Sequence, residues 1–555
     1  MRHDTMIYAQ DDCRAARGTT TGHRPLILTR SAPRSRAMAS AALLCASSLI
    51  GATGQAQAQA QEAMFPASPA THTVTGFTML DYSALTLTDG TDFDLFGIHY
   101  MQRVNDWLYV GAGAFAPMVE GNYSGFYGAD VTLHAQRTIF GNWFANAGLS
   151  LGAAAGGQSN TNISRLSGDG IYGRAYVGVG YAFENFSLGL NYSHVEMPGG
   201  QVNSDAVNLF VQMPFSYARG DFRDAGRQLG LQDFDAPRTD NILSFNYTHV
   251  SQIDPTARYS GDIGFASLQF SHFLNDNVYA FFGIDIGVSG LMFFNQAQGG
   301  LGYRWALSDN VNLYGQVGIG SGGYVTNTYD AGPGLAIYPR ATLEYLWGNG
   351  FGATASLGYL AAPLGTARSW TVGLGLNYHM SGPRSGRTDR SGADYTLRGV
   401  RLNVMGRATS DIDFNGRVTD GLGLVALQAD YMLDENWYLA AQVAAGTEAF
   451  RGIAGYAEGY IGAGWQTNLT ASGRLQAYAQ LLYGLNDVGV SPAHEVGGMV
   501  YPAIGFSYGL NDRVALYGQI GATISTGQYF GTHTNAFETY TVGLGLSYRF
   551  SLPTR

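Results

Sequence analysis

Trp370-Thr-Val-Gly-Leu-Gly-Leu-Asn-Tyr-His-Met380 decides the fold. Taken two residues at a time, one face carries Trp370, Val372, Leu374, Leu376 and Tyr378, and the other carries Thr371, Gly373, Gly375, Asn377 and His379. Strict period two is a β-strand, because successive side chains leave a strand on opposite faces. An apolar face ending in aromatics, backed by a small and polar one, suits a strand with lipid outside and a filled interior inside. The same alternation returns in residues 278–289, 311–320, 475–484 and 540–550.

The segments also repeat. Residues 302–318 align without a gap to 505–521, and 370–380 is identical to 540–550 at seven of eleven positions. Each aligned unit reads as strand, tight Asn/Asp turn, strand. About 24 strands are expected, in three sets of eight: 71–217, 240–380 and 394–550. Short turns fall after even-numbered strands, at Val104-Asn-Asp106, Gly141-Asn142, Glu184-Asn185, Leu274-Asn-Asp-Asn277, Ser308-Asp-Asn310, Gly348-Asn-Gly350, Leu433-Asp-Glu-Asn436 and Asn511-Asp-Arg513. Connections after odd strands, such as 156–170 and 198–205, are longer and polar.

Composition narrows the class. Of 555 residues only 13% are charged, 13% are aromatic and 77 are glycine. Low charge with many aromatics excludes a disordered chain. A net charge of −10, with every one of the 31 basic residues an arginine, excludes a nucleic-acid surface. Cys13 and Cys45 are the only cysteines, so a disulfide framework or Cys-based zinc site is not expected. Mean hydropathy is −0.04, too polar for a bundle of membrane helices. The N-terminus reads as an export signal: Arg30, Arg34 and Arg36, an apolar run over 37–50, then small residues to Ala60. Residues 1–60 are therefore taken as signal peptide and upstream segment. Seven of the 31 basic but only three of the 41 acidic residues fall within 1–60, so the exported part is the more acidic.

This pattern resembles the bacterial outer-membrane β-barrel proteins, over nearly all of the exported region. The resemblance implies a transmembrane antiparallel up-and-down barrel with its termini and short turns in the periplasm. It also implies outer-membrane lipid and lipopolysaccharide as surroundings, and barrel-assembly machinery and periplasmic chaperones as partners. Val542, Leu544, Leu546, Tyr548 and Phe550 look like the C-terminal assembly signal, although Ser551–Arg555 follows the aromatic that would normally end the chain. No cofactor, metal or nucleic acid is expected, and a ligand for the outer loops is not specified.

Two junctions bear on the number of barrels. Residues 218–239 and 381–393 follow an eighth strand, where one continuous sheet would need tight turns, yet both are long, polar and Gly-, Asp- and Arg-rich. Three small barrels joined by linkers are the favoured reading, and one 24-stranded barrel is the alternative. Inward residues of Tyr or Gln alternating with Gly, as in Tyr279, Gly283 and Gly287 or Tyr314, Gln316 and Gly318, suit a narrow interior.

Polar candidates for the lumen are Asp130, His134, Asp285, Arg304, Arg340, Glu344 and Glu458. An Arg facing carboxylates could gate a pore; a pair that simply fills a small barrel is the reading preferred here. No metal-protease, nucleophile-elbow or nucleotide-loop pattern occurs. The expected function is a passive channel or a surface-exposed structural barrel. Alternatives are a wide export pore for polysaccharide or polypeptide, and an outer-membrane enzyme acting on lipid or peptide through an inward histidine such as His134 or His379.

Overall fold

The computed structural model describes residues 70–554, except position 122 and residues 156–165, 167, 169, 231–232, 235–240, 292–293, 324–327, 348–349, 381–394, 415–416, 448–455, 488–495, 526–527, 530–531 and 534–536. The signal reading over 1–60 and the second linker, 381–393, lie outside the described residues.

The chain is all-β and built of barrels. The strands from Asn241–Gln252 to Arg368–His379 form a closed eight-stranded barrel, ring two here, sealed by pairs from Ile242–His379 to Gln252–Ser369. The strands from Thr71–Thr86 to Asn203–Gly220 form ring one, whose first and last members pair from Thr71–Gly220 to Ser83–Asn208. In ring three Tyr395–Thr409 pairs with both Gly423–Met432 and the final strand Phe537–Thr554. All these pairs are antiparallel. Closure pairs both edges of the ring strands, which a hydrocarbon environment demands.

Alternation sorts the side chains as the sequence suggests. Leu149, Leu374 and Leu544 point outward and are 59%, 67% and 70% exposed, whereas Ser150, Asn377 and Gly543 point inward between neighbours. Trp107, Trp143, Trp305, Trp347 and Trp437 stand exposed at the short-turn end, and Tyr192, Tyr247, Trp370 and Tyr540 towards the long-loop end. This leaves an aliphatic belt between two aromatic girdles on closed rings, which is the surface of a membrane barrel.

The short turns share one device. Asn105 Oδ1 accepts from the amides of Trp107 and Leu108, Asn275 Oδ1 from Asn277 and Val278, and Asn511 Oδ1 from Arg513 and Val514. Ser308 Oγ and Asp434 Oδ1 do the same in their turns. The small polar residue thus mimics a turn of backbone, which is why Asn, Asp or Ser recurs there. Asn511→Ala is expected to cost about 1 kcal/mol through the two lost bonds, read as a lower urea midpoint with unchanged barrel spectra. Asp434 is the one ionisable member, and the amides of Trp437 and Asn436 hold its carboxyl below the ordinary aspartate range. That stabilisation is present above the ordinary pKa of about 4 and is lost as pH falls through the lower native value. Asp434→Asn, which keeps the acceptor, should flatten this part of the acid-unfolding profile.

Several features differ from the sequence expectation. Besides the ring members there are short strands at Gln228–Leu229, Ile412–Phe414, Arg417–Thr419, Gln528–Tyr529 and Thr532–His533. The first set runs to Gly220 rather than 217, and the last strand to Thr554 rather than 550. The reason is packing between rings at the short-turn end. Val74, Phe215 and Tyr217 of ring one cluster with Phe550 and Leu552 of ring three and with Met380 following ring two. Tyr378, expected to face lipid, is buried for the same reason: its ring packs on Tyr431 and its hydroxyl donates to Pro553 O at 3.3 Å. Nor is the stretch 218–239 wholly a linker. It contains a 3-10 turn, Phe222–Asp224, and Gln228–Leu229 pairs with the first strand of ring three. Rings one and two also share a lipid-level face, where Phe96, Ile98 and Ala297 bury one another beside Leu80 and Phe282. Gly299 matters there, since a Cβ would sit 3.1 Å from Leu80 Cδ2.

Candidate functional site: the barrel interiors

The inward positions of each ring form a polar layer. In ring one, Asp81 bonds Arg174 and, at 3.2 Å, His99 Nε2; His99 Nδ1 lies 3.4 Å from Asp130. Asp130 also accepts from Thr132 Oγ1 at 3.0 Å, and Thr132 meets Ser150 at 2.7 Å. His134 Nδ1 is 2.7 Å from the Tyr176 hydroxyl and its Nε2 is 3.1 Å from Gln136.

Ring two gathers its polar groups around Glu344. The carboxylate accepts from Asn312, Tyr314 and Asn377 and lies 3.0 Å from His379 Nε2. Asp285 accepts from Gln296 at 3.2 Å and Gln298 at 2.9 Å. Arg340 donates to Gln269, which is bonded in turn to Gln316. Arg304 sits at the short-turn mouth, stacked 4.2 Å over Phe273 and donating to Asp276 O. Glutamine amides serve both signs of charge here, Gln296 and Gln298 donating to Asp285 and Gln269 accepting from Arg340, because an amide carries a donor and an acceptor.

Ring three, like ring one, holds direct arginine–carboxylate pairs. Arg401 Nε is 3.0 Å from Asp430, which also accepts from Asn403 and Gln428. Arg407 Nη1 is 2.9 Å from Glu458, whose other oxygen accepts from Tyr456. Between these pairs Gln428, Gln442, Gln480 and Gln519 bond to one another and to Tyr438 and Tyr501.

All seven sequence candidates are buried within the rings, but the groups they meet were not all foreseen. Asp81, His99, Arg174, Arg401, Arg407 and Asp430 are not among the lumen candidates that the sequence suggests. Counting alternation from an exposed neighbour would have found them: Arg401 and Arg407 stand on the same face, opposite Leu402 and Val404.

Above the polar layer each interior is stoppered by apolar groups on the long-loop side. Leu87, Phe93, Phe126 and Met197 pack in ring one, Leu291, Phe294 and Tyr329 in ring two, and Ile412, Leu422 and Phe537 in ring three. These stoppers and networks leave the rings filled by their own side chains.

The rings are closed antiparallel β-barrels with an apolar outer belt. No protein-family model and no curated protein matches the sequence. Among solved structures the chain is similar to a copper transporter, OprC (10% identity, 87% of this chain and 81% of that one, TM-score 0.30). It is also similar to the outer membrane protein OpdK from Pseudomonas aeruginosa (9%, 86% and 99%, 0.25) and the siderophore receptor PirA from the same organism (8%, 87% and 81%, 0.25). With likenesses that low, it is this chain's own strands and belt that define the class.

A catalytic arrangement is not assembled among the described residues. Ser251 Oγ and Asp262 both approach the same nitrogen, Nε2 of His249, at 3.3 and 3.4 Å on an exposed rim. A serine base must instead be held through its other nitrogen. Inward His134 meets Tyr176 and Gln136, and His379 lies 3.0 Å from Glu344.

Proposed function

We propose that this is an integral outer-membrane protein composed of three eight-stranded barrels in tandem, sealed inside, that displays long loops at the cell surface. The short turns would face the periplasm. The observation that carries this is the filling of each interior by a bonded polar layer beneath an apolar stopper. Of the two expected roles, it favours the surface-exposed structural barrel over the passive channel. A wide export pore would require the rings to open into one another, against the pairing that seals ring two. An eight-stranded barrel is just wide enough for side chains to fill it. Planar-bilayer recording of the purified protein is expected to show no steps above the lipid baseline. Large, reproducible openings would sink this reading.

A further inference from the structure

The third ring differs from the others at its short-turn mouth. All three rings carry their own aromatics near that end, Phe77, Phe144 and Phe210 in ring one, Phe273, Tyr279 and Phe281 in ring two and the buried Tyr438 in ring three, but ring three receives one more from outside. In ring three an inward position on the first strand is Gly399, and the space its Cβ would take is shared by Met432 Cγ at 2.8 Å and the Phe222 ring, with Cε2 at 2.9 Å. Phe222 does not belong to ring three. It comes from the segment that leaves ring one.

Other contacts hold it there. Arg549, an inward residue of the last strand, lies 5.5 Å over the Phe222 ring. Ser551 Oγ donates to Asp221 O at 2.9 Å. Gly226 N donates to Leu397 O at 2.7 Å, and Leu397 N to Arg227 O at 3.0 Å. Leu229 is buried against Tyr395 and Leu397, and pairs with Tyr395 in the ladder. Arg223 reaches Asp512 at 3.3 Å and Arg513 reaches Asp221 at 3.5 Å, across exposed ground.

We propose that Asp221–Leu229 is a strap closing the short-turn mouth of ring three, with Phe222 as its stopper. A borrowed stopper can leave, whereas aromatics such as Phe273, Tyr279 and Tyr438 are fixed to strands of their own ring. The strap is held by one aromatic, a few backbone bonds and exposed ion pairs, each of the latter worth little. Such segments belong to the low-stability end of a fold and open without global unfolding. Its release uncovers Arg549, Gly399 and, behind them, Met432, which packs on Gly399 and is buried in the interior. A small movement of the strap would therefore open the short-turn mouth of ring three.

The test uses the full chain with Cys13 and Cys45 replaced by serine and Met432→Cys supplying the only thiol. The folded protein in lipid vesicles is treated with a membrane-impermeant maleimide. With the strap intact the introduced thiol should react slowly; Phe222→Gly should speed labelling at least tenfold, and Phe222→Leu should restore most of the protection. If Phe222→Gly does not insert, the surface double variant Arg223→Ala/Arg513→Ala serves, with severalfold faster labelling expected. Rapid labelling with the native strap, or equal rates with and without the Phe222 ring, would overturn the proposal. The inference rests on ring three being closed. Loss of that closure would appear separately, as lost heat-modifiable gel mobility.

Discussion

Arg407→Leu is expected to lower the stability of the folded protein by about 3–5 kcal/mol. Its guanidinium is fully buried, 2.9 Å from Glu458 and 2.9 Å from Gln442, and stacked 4.5 Å over the Tyr501 ring. Removing it leaves Glu458 charged or forced to protonate, with only the Tyr456 hydroxyl still donating among the bonds described. Most of that loss should be recovered in the double variant. Arg407→Leu/Glu458→Leu removes both charges together, and replacing a buried pair with apolar groups is often close to neutral. Urea unfolding in detergent micelles measures both. A single variant as stable as the parent would mean that the pair is hydrated rather than packed inside the ring.

Leu544→Arg is the second large effect, about 2–4 kcal/mol if the residue lies near the bilayer midplane. Leu544 is 70% exposed on the outward face of the last strand, where the new charge would meet lipid. Val372→Arg should behave alike in ring two, where the side chain is similarly exposed. The inward neighbour Gly543 gives the contrast. A Cβ there would meet Gln519 Cγ at 3.1 Å and Arg407 Cγ at 3.2 Å, both on flexible stems, so Gly543→Ser should cost less but is not free. Equal tolerance of charge on the two faces would show that inside and outside have been exchanged.

What the sequence made legible follows from which forces act locally. Alternation along 370–380 and 540–550 reports side-chain direction at each residue, so strand position and face could be read without knowing any partner. The Asn, Asp and Ser turn residues were equally visible, because their bonds reach only two or three residues ahead. Contacts between rings were not visible. Tyr378 carries the same outward signature as Leu376, and only the neighbouring Tyr431 and Pro553 bury it. Phe222 sits in a charged, Gly-rich stretch that reads as linker, and its receptor, Gly399, lies far along the chain. The interior pairings were partly hidden for a related reason. Glu344 and Arg340 lie on one strand, but which glutamine, tyrosine or histidine each meets depends on the stagger of strands around the ring.

The central claim is that each set of eight strands closes on itself, and the seam of ring two tests it most directly. Phe245 and Leu376 stand opposite each other on its first and last strands, both facing outward and exposed. Side chains so placed have Cβ atoms about 4.5–5.5 Å apart. In a single 24-stranded barrel those two strands would be separated by six others, each adding about 4.8 Å. With Cys13 and Cys45 removed, the variant Phe245→Cys/Leu376→Cys should form an efficient crosslink in the membrane, by oxidation or with a short thiol reagent. Absence of that crosslink in correctly inserted protein, together with crosslinking of a cysteine at 376 to the strand Tyr395–Thr409, would contradict the claim.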